Sequence, residues 1–208
     1  MMLGKMITLE GVEGAGKSTQ LVMLVDYLRQ HGVSVVSTRE PGGTLLGEKI
    51  RGILLNDDGV CISDESELLL MFTARQQHLQ EVIKPALAKG QWVVCDRFID
   101  ASYAYQSGGR GMDQHRVQRL EDWVLAGFKP DLTLLLDVPV SAGFSRIQNR
   151  GKDRIEQENS AFFERVRRTY LQRAESDYSR IKVIDSSQPV DVVANAIQSC
   201  VDALIALS

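Results

Sequence analysis

The sequence lacks the features that mark secreted proteins, membrane proteins and proteins that coat nucleic acids. Its 208 residues include only three cysteines, Cys61, Cys95 and Cys200, an odd number without the spacing of a metal site. We expect them to be reduced and buried, which favours a cytoplasmic location. No apolar run approaches the roughly 18 residues of a membrane span, and the acidic Glu10 comes too early for a signal peptide. A net charge of −3 provides no general positive field for a nucleic-acid polymer.

The chain also lacks internal repeats, low-complexity segments and linkers rich in proline, glycine or serine. Such segments would mark a domain boundary. At 208 residues and 44% hydrophobic, the chain is long and apolar enough to bury a full core. We therefore predict a single domain over residues 1–208.

A glycine-rich stretch near the start of the chain is its most specific motif. Residues 11–18 read GVEGAGKS and match the pattern G-x-x-x-x-G-K-[ST], with an apolar run before them and a helical repeat after them. Such a loop binds phosphate through backbone N–H groups, and the helix that follows adds its positive dipole end. Lys17 would reach the outer phosphates of a nucleoside triphosphate, and Ser18 would ligate its magnesium ion. The predicted ATP-binding residues are Gly11, Val12, Glu13, Gly14, Ala15, Gly16, Lys17, Ser18 and Thr19.

The remaining hydrophobic pattern alternates between strands and helices. A long helical pattern covers residues 63–89, where Pro85 is expected to cause a kink. The alternation predicts an α/β fold, with a five-stranded, doubly wound parallel sheet and helices on both faces. The predicted strands are residues 5–10, 33–38, 92–95, 132–137 and 181–185.

Charged residues follow two of the predicted strands directly. Arg39 and Glu40 end the second strand, and Asp96 and Arg97 end the third, so these side chains face the ligand crevice of such a sheet. Asp96 could hold a water bound to magnesium, or it could be a buried aspartate that caps a helix. Arg97 fits phosphate recognition.

A basic segment at residues 146–154 predicts a lid over the site, at about residues 146–155. If the chain is helical there, Arg146 and Arg150 lie one turn apart and could clamp a transferring phosphoryl group. The alternative is a helix surface on which the cations pair with Glu156 and Glu158. The four cations are Arg146, Arg150, Lys152 and Arg154.

These patterns do not select a substrate. They are compatible with several nucleotide or nucleoside kinases, and with a switch protein whose bound triphosphate controls a partner. The absence of a guanine-binding Asn-Lys-x-Asp motif from the sequence argues against a switch protein. Phe72 shares helical spacing with Leu68, Leu79 and Ile83, which favours core packing over a ligand contact.

Taken together, four motifs closely resemble those of the bacterial thymidylate kinases, over essentially the whole chain. They are the glycine-rich loop with acidic Glu13, REPGGT at 39–44, DRF at 96–98, and the arginine-rich segment with Asp153-Arg154. The resemblance implies transfer of the γ-phosphoryl group of ATP to thymidine monophosphate (dTMP), with Mg²⁺, in dTTP biosynthesis. It also implies a three-layer P-loop NTPase fold and a homodimer. The alternative is another deoxynucleotide or deoxynucleoside kinase, although Arg39 and Arg97 have no obvious role without an acceptor phosphate.

The resemblance also implies roles for single residues. Glu13 would approach the 3′ side of the sugar, Arg39 and Arg97 would hold the acceptor phosphate, and Tyr105 would occupy the place of a ribose 2′-hydroxyl. The family often places its stacking aromatic where this chain has Met71, and Gly14 stands where other subgroups have a catalytic arginine. The base would meet Phe72 and Arg75, with Ser102 near it, and Gln106 would bind substrate beside Tyr105. The implied catalytic residues are Lys17, Arg97, Arg146, Arg150 and Arg154. The implied metal residues are Ser18 and Asp96.

Overall fold

A parallel five-stranded sheet forms the centre of the molecule, which confirms the predicted α/β fold. The computed structural model describes residues 4–56, 59–148, 151 and 153–206. The strand order is β2-β3-β1-β4-β5, and each neighbouring pair is parallel. The strands are β1 (Met6–Glu10), β2 (Val35–Arg39), β3 (Trp92–Asp96), β4 (Leu132–Asp137) and β5 (Ile181–Asp185).

Helices connect the strands and cover both faces of the sheet. Along β1 and β3, Ile7 and Val94 belong to one hydrophobic cluster, while Met6 and Val93 belong to another. Successive side chains of a strand point to opposite faces, so the two clusters lie on the two sides of the sheet. The helices are α1 (Lys17–Gln30), α2 (Leu45–Leu55), α3 (Asp64–His78), α4 (Lys84–Ala88), α5 (Ile99–Ser102), α6 (Gln114–Leu125), α7 (Val140–Arg146), α8 (Ser160–Ser176) and α9 (Val190–Ile205).

The carboxyl ends of three adjacent strands meet at one edge of the sheet. Arg39 at the end of β2 is in register with Asp96 at the end of β3, and Asp96 is in register with Leu9 of β1. The glycine-rich loop leaves β1 at the same edge. Ligands of open parallel sheets bind at this edge, so the fold brings the predicted site residues to one place.

The helical stretch predicted for residues 63–89 is continuous but changes its hydrogen-bond spacing. Ser63 caps α3 by accepting a hydrogen bond from the N–H of Ser66, and a π-helical turn at Leu79–Ile83 separates α3 from α4. Pro85 has no N–H to donate to the preceding turn, and its ring crowds the carbonyl there. The irregularity predicted at Pro85 is therefore a wider turn that directly precedes it.

A second π-helical segment, Tyr103–Gly109, follows α5 and packs closely against α8. A Cβ atom added at Gly109 would lie 2.5 Å from the ring of Phe162, and one added at Gly108 would lie 2.2 Å from the hydroxyl of Thr169. Only glycine allows the two elements to approach this closely.

The three cysteines differ in their exposure. Cys95 is buried in β3 and Cys200 is half-buried, but Cys61 is exposed in the connection between α2 and α3, so the expectation of burial is wrong for Cys61. Within the described ranges, no helix combines the length and the apolar character that crossing a bilayer requires.

Candidate active site

The glycine-rich loop wraps the start of α1 in the way its sequence predicts. Gly11, Gly14 and Gly16 have φ values of 139°, 72° and 86°, which L-residues with a side chain rarely adopt. A Cβ at Gly14 would lie 1.9 Å from the carbonyl oxygen of Gly143, so the loop is pressed against α7. The loop ends at the N-terminus of α1, where exposed backbone N–H groups can receive an anion.

Lys17 is the first residue of α1, and its side chain folds back over the loop. Its ammonium donates hydrogen bonds of 2.9 Å to the carbonyl oxygens of both Gly11 and Val12. Burial lowers the pKa of Lys17 to about 8, and the nearby cation of Arg97 contributes in the same direction. A bound polyphosphate would compensate this buried charge.

Arg97 follows β3 with a φ of 70°, an uncommon conformation for a residue with a side chain. Its guanidinium donates hydrogen bonds to the carbonyl oxygen of Gly11 at 2.9 Å and to Oε1 of Glu13 at 2.7 Å. The guanidinium carbon also lies 4.8 Å from the ring centroid of Tyr105. Arg97 is thus held between the glycine-rich loop and the second π-helical segment.

Glu13 and Tyr105 are joined directly. The hydroxyl of Tyr105 donates a 2.5 Å hydrogen bond to Oε2 of Glu13, whose other oxygen accepts from Arg97. The ring of Tyr105 is buried, with edge contacts to Phe162 and Tyr170. The sequence resemblance assigns Glu13 and Tyr105 to the sugar, and the structure brings these two residues together.

The predicted base-binding residues gather at the other end of the cavity. Arg75 donates a 3.0 Å hydrogen bond to Oγ of Ser102, and both residues line the cavity together with Gln106. Phe72 is buried in the core, and its ring centroid lies 4.8 Å from the guanidinium carbon of Arg75. Met71 is the residue that lines the cavity. The core packing that the helical spacing favours for Phe72 is the arrangement found.

Arg39 is not among the residues that line the cavity. Its guanidinium pairs with Oε2 of Glu48 at 3.0 Å, and its side chain is half-exposed. Arg51, which the sequence analysis did not single out, lines the cavity and donates a 2.9 Å hydrogen bond to the carbonyl oxygen of Pro41. Burial lowers the pKa of Arg51, and the nearby cation of Arg39 contributes in the same direction.

Ser18 and Asp96 are compatible with a magnesium ion. Ser18 is exposed in the first turn of α1, next to Lys17, and both residues line the cavity with Asp96. Oδ1 of Asp96 is buried and has no hydrogen-bond partner in the part of the chain that the structure describes. A buried carboxylate oxygen without a donor is costly, and a hydrated cation would satisfy it.

The predicted lid arginines occupy different places. Arg146 bridges the two sides of the cavity, donating to the carbonyl oxygens of Gly14 at 3.2 Å and Ser186 at 3.0 Å. Arg154 contacts the carbonyl oxygen of Leu54 and the carboxylate of Glu67, and it does not line the cavity. Neither arginine pairs with Glu156 or Glu158 as the alternative proposed; Glu158 pairs with Arg110. Arg150 and Lys152 lie outside the described residues.

These groups surround one cavity of about 610 Å³. Its lining includes the glycine-rich loop with Lys17, the predicted base-binding residues Arg75 and Ser102, and Arg97, which donates hydrogen bonds to the loop at Gly11 and Glu13. The arrangement can hold two anionic ligands so that their phosphates meet.

The chain is similar to several known proteins. A sequence model of the family described as thymidylate kinase matches residues 9–197. The thymidylate kinase of Methylococcus capsulatus is 55% identical over 207 residues, covering 99% of each chain. That of Ruthia magnifica is 53% identical over 199 residues, covering 95% of this chain and 97% of the relative. The crystal structure of thymidylate kinase from Ehrlichia chaffeensis is similar, with a TM-score of 0.79, 33% identity, and coverage of 96% and 98%.

Proposed function

Since the chain belongs to the thymidylate kinase family and phosphorylates dTMP with ATP, we propose that this transfer takes place in the 610 Å³ cavity. The product, the diphosphate, is an intermediate of dTTP synthesis. One observation carries the proposal: the glycine-rich loop, Arg97 and the predicted base-binding residues Arg75, Ser102 and Gln106 line the same cavity. The two nucleotides would enter from opposite ends and meet at this arginine.

The chemistry needs positioning and charge neutralisation more than it needs a base. The phosphate of dTMP is already an anion, so its oxygen can attack the γ-phosphorus in line, without a covalent enzyme intermediate. The loop 11–19 would hold the ATP phosphates by backbone N–H groups, and Lys17 would leave its carbonyl partners to neutralise the transferring group. Arg97 would contact the phosphates from the acceptor side.

We assign the acceptor phosphate to three arginines. Arg97 is fixed by Glu13, whereas Arg39 can reach the cavity only by leaving Glu48. Arg51 already lines the cavity, and burial together with the nearby Arg39 lowers its pKa. An anion bound here would relieve the repulsion between Arg39 and Arg51.

The metal that accompanies ATP would be held by Ser18 and, through water, by Asp96. Magnesium binds through one or two protein groups together with the phosphates of its substrate, which suits this small donor set. When bound, it would neutralise phosphate charge during the transfer. The unpartnered Oδ1 of Asp96 supports this placement.

The nucleoside ends of the cavity differ in chemistry. Tyr105 and Glu13 would face the deoxyribose, while Arg75, Ser102 and Gln106 would meet the thymine, with Met71 beside them and Phe72 beneath Arg75. Arg146 lies between Gly14 and Ser186, at the side where the adenosine part of ATP would extend.

We further propose that the protein is a homodimer of one-domain subunits. Helix α3 packs against α2 and α6, and these three helices carry large exposed apolar side chains, including Leu45, Ile53, Leu69 and Trp123. Exposed apolar side chains clustered on adjacent helices mark an interaction surface, and a symmetric dimer would cover the same helices on both copies.

A coupled assay that follows ADP release tests the function. It compares dTMP, dUMP, dCMP, dGMP and thymidine as acceptors, with ATP as donor. We expect dTMP to be preferred and Lys17→Met to abolish nearly all turnover while the fold persists, because the ammonium stabilises phosphate charge and not the core. Comparable activity on thymidine, or Lys17→Met activity within a few-fold of the native enzyme, would contradict the proposed site.

A further inference from the structure

A buried chain of polar groups runs behind the base end of the cavity. Nε2 of His78 lies 2.7 Å from the hydroxyl of Thr38, and Nδ1 of His78 lies 3.1 Å from Oε1 of Glu40. The other carboxylate oxygen of Glu40 accepts a 2.8 Å hydrogen bond from Nε of Arg75. His78 is fully buried, and Glu40 and Arg75 are nearly so.

The direction of the hydrogen bonds follows from the partners. A carboxylate oxygen can only accept, so Nδ1 of His78 carries a hydrogen and donates it to Glu40. In the neutral ring, Nε2 is then an acceptor and the Thr38 hydroxyl donates to it. In that form the hydrogen bonds all run in one direction, from Thr38 through His78 to Glu40. Glu40 also accepts a hydrogen bond from Arg75.

Arg75 is fixed at three points by this network and its surroundings. Besides Glu40, its guanidinium donates to Oγ of Ser102 at 3.0 Å and to the carbonyl oxygen of Phe98 at 2.9 Å. Its carbon lies 4.8 Å and 5.4 Å from the ring centroids of Phe72 and Phe98. A guanidinium has five N–H donors, so two remain, and it offers no acceptor.

The turn that follows Glu40 packs against His78 at Gly43. A Cβ added at Gly43 would lie 2.6 Å from both Nε2 of His78 and the hydroxyl oxygen of Thr38. Gly43 has a φ of 77°, so both its conformation and its contacts require glycine. The backbone thus closes over the Thr38–His78 hydrogen bond and restrains Glu40 from both sides.

We propose that His78 is a positioning residue for base selection: it orients Glu40, Glu40 orients Arg75, and Arg75 presents only donors to the pyrimidine. This rests on the proposed placement of Arg75 against a base carbonyl. Thymine has a carbonyl at C4, where cytosine has an amine. An N–H donor that is held in place donates to the carbonyl of thymine but faces the amine of cytosine, which is also a donor. The rigidity of Arg75 therefore sets discrimination against dCMP.

The test compares kcat/KM for dTMP and dCMP in five variants. His78→Leu removes both hydrogen bonds, His78→Asn keeps an amide donor near the position of Nδ1, and Thr38→Val removes only the outer hydroxyl. His115→Asn, on the exposed surface of α6, is the matched control. Arg75→Gln tests the base contact itself, and thermal unfolding is recorded for every variant.

We expect His78→Leu to lower the dTMP/dCMP ratio of kcat/KM about tenfold or more, since displacement by ~1 Å can cost ~10² in rate. The KM for ATP should not change. His78→Asn should lose stability yet retain more of the ratio than His78→Leu, Thr38→Val should lower it slightly, and His115→Asn should match the native enzyme. Long-range ¹H–¹⁵N correlation of the native protein should show His78 with its hydrogen on Nδ1.

Three results would reject the role of His78 while leaving the proposed base contact in place. One is an unchanged dTMP/dCMP ratio of kcat/KM in His78→Leu. Another is a ratio that falls equally in His78→Leu and His78→Asn, in proportion to the stability that each variant loses. The third is the Nε2–H tautomer. If Arg75→Gln keeps the native dTMP/dCMP ratio, the proposed base contact is itself wrong and the inference falls with it. If the ratio falls in Arg75→Gln but in none of the His78 variants, only the role of His78 is rejected.

Discussion

The surroundings of Lys17 should change when a nucleotide binds. In the free protein its ammonium is buried against two backbone carbonyls, beside Arg97, and its pKa is lowered to about 8. A polyphosphate brings negative charge to the same place, which favours the protonated form and raises the pKa again. Binding and protonation of Lys17 are therefore linked.

We expect ATP binding at about pH 9 to take up nearly one proton, and binding near pH 6.5 to involve none from Lys17. Above its pKa of about 8, free Lys17 is mostly neutral, and it must recharge to bind the phosphates; below that value it is already charged. Calorimetry in buffers of different ionisation enthalpy measures the uptake. Lys17→Met is the control, and equal uptake by this variant would assign the proton to another group.

Tyr105 offers a test of sugar selection. The ring is buried against Phe162, and the hydroxyl reaches Glu13. If the ring excludes a 2′-hydroxyl by its bulk, Tyr105→Phe should keep discrimination against ribothymidine monophosphate, whereas Tyr105→Ala should relax it by about tenfold or more. The ratio of kcat/KM for the two sugars measures this, and equal ratios in both variants would rule out the steric explanation.

Local spacing predicts some site residues and not others. The glycine-rich loop can be predicted from the sequence because its function depends on eight consecutive residues. Arg51 and His78 have no such local pattern, since their positions depend on contacts of α2 and α3 with the residues that follow β2. The spacing of Phe72 correctly indicates the core, and the choice between Phe72 and Met71 for the cavity wall depends on rotation of α3 that only the packing sets.

At the scale of elements, the second π-helical segment positions Tyr105 and Gln106. Its wider turns move these side chains relative to an ordinary α-helix, and its close packing on α8 depends on the glycines at its end. Periodicity at 3.6 residues cannot predict such a segment, because a π-turn inserts one residue into the repeat. The five strands, by contrast, are short apolar runs and were predicted within two residues at each end.

Gly109→Ala should destabilise the protein by ~1–3 kcal/mol, because the added methyl group would overlap the ring of Phe162 and separate the π-helical segment from α8. Gly52→Ala is a matched control within α2. Its Cβ would meet only Asn56, at 3.7 Å, and helix propensity should then stabilise the protein by ~0.5–1 kcal/mol. Urea unfolding measures both changes, and destabilisation by both substitutions would show that the close contact with Phe162 is not the cause.

At the scale of the whole molecule, the alternation of strands and helices predicts a parallel sheet, but it predicts neither the strand order nor the assembly. Exposed apolar residues on one helix are common and carry little meaning alone. Their gathering on α2, α3 and α6 becomes visible only when these helices are placed side by side. The homodimer and the single domain therefore stay predictions until measured.

We expect Leu69→Lys and Trp123→Lys to shift the protein from dimer to monomer in light scattering, since each would bury an unpaired ammonium at the proposed contact. Tyr178→Lys is the control, because Tyr178 at 77% exposure is about as exposed as Trp123 at 79% but lies beyond α8. A monomeric native protein, or dissociation by Tyr178→Lys alone, would place the interface elsewhere or exclude it.

The unequal exposure of the three thiols should allow one of them to be labelled selectively with a fluorescent dye. Maleimide dyes react with accessible thiolates; burial raises the pKa of both Cys95 and Cys200, whereas Cys61 lies exposed on the surface. A single fluorophore should therefore attach first at Cys61, in the connection between α2, which carries Arg51, and α3, which carries Arg75. The native chain would then report occupancy of its own cavity as a change in emission.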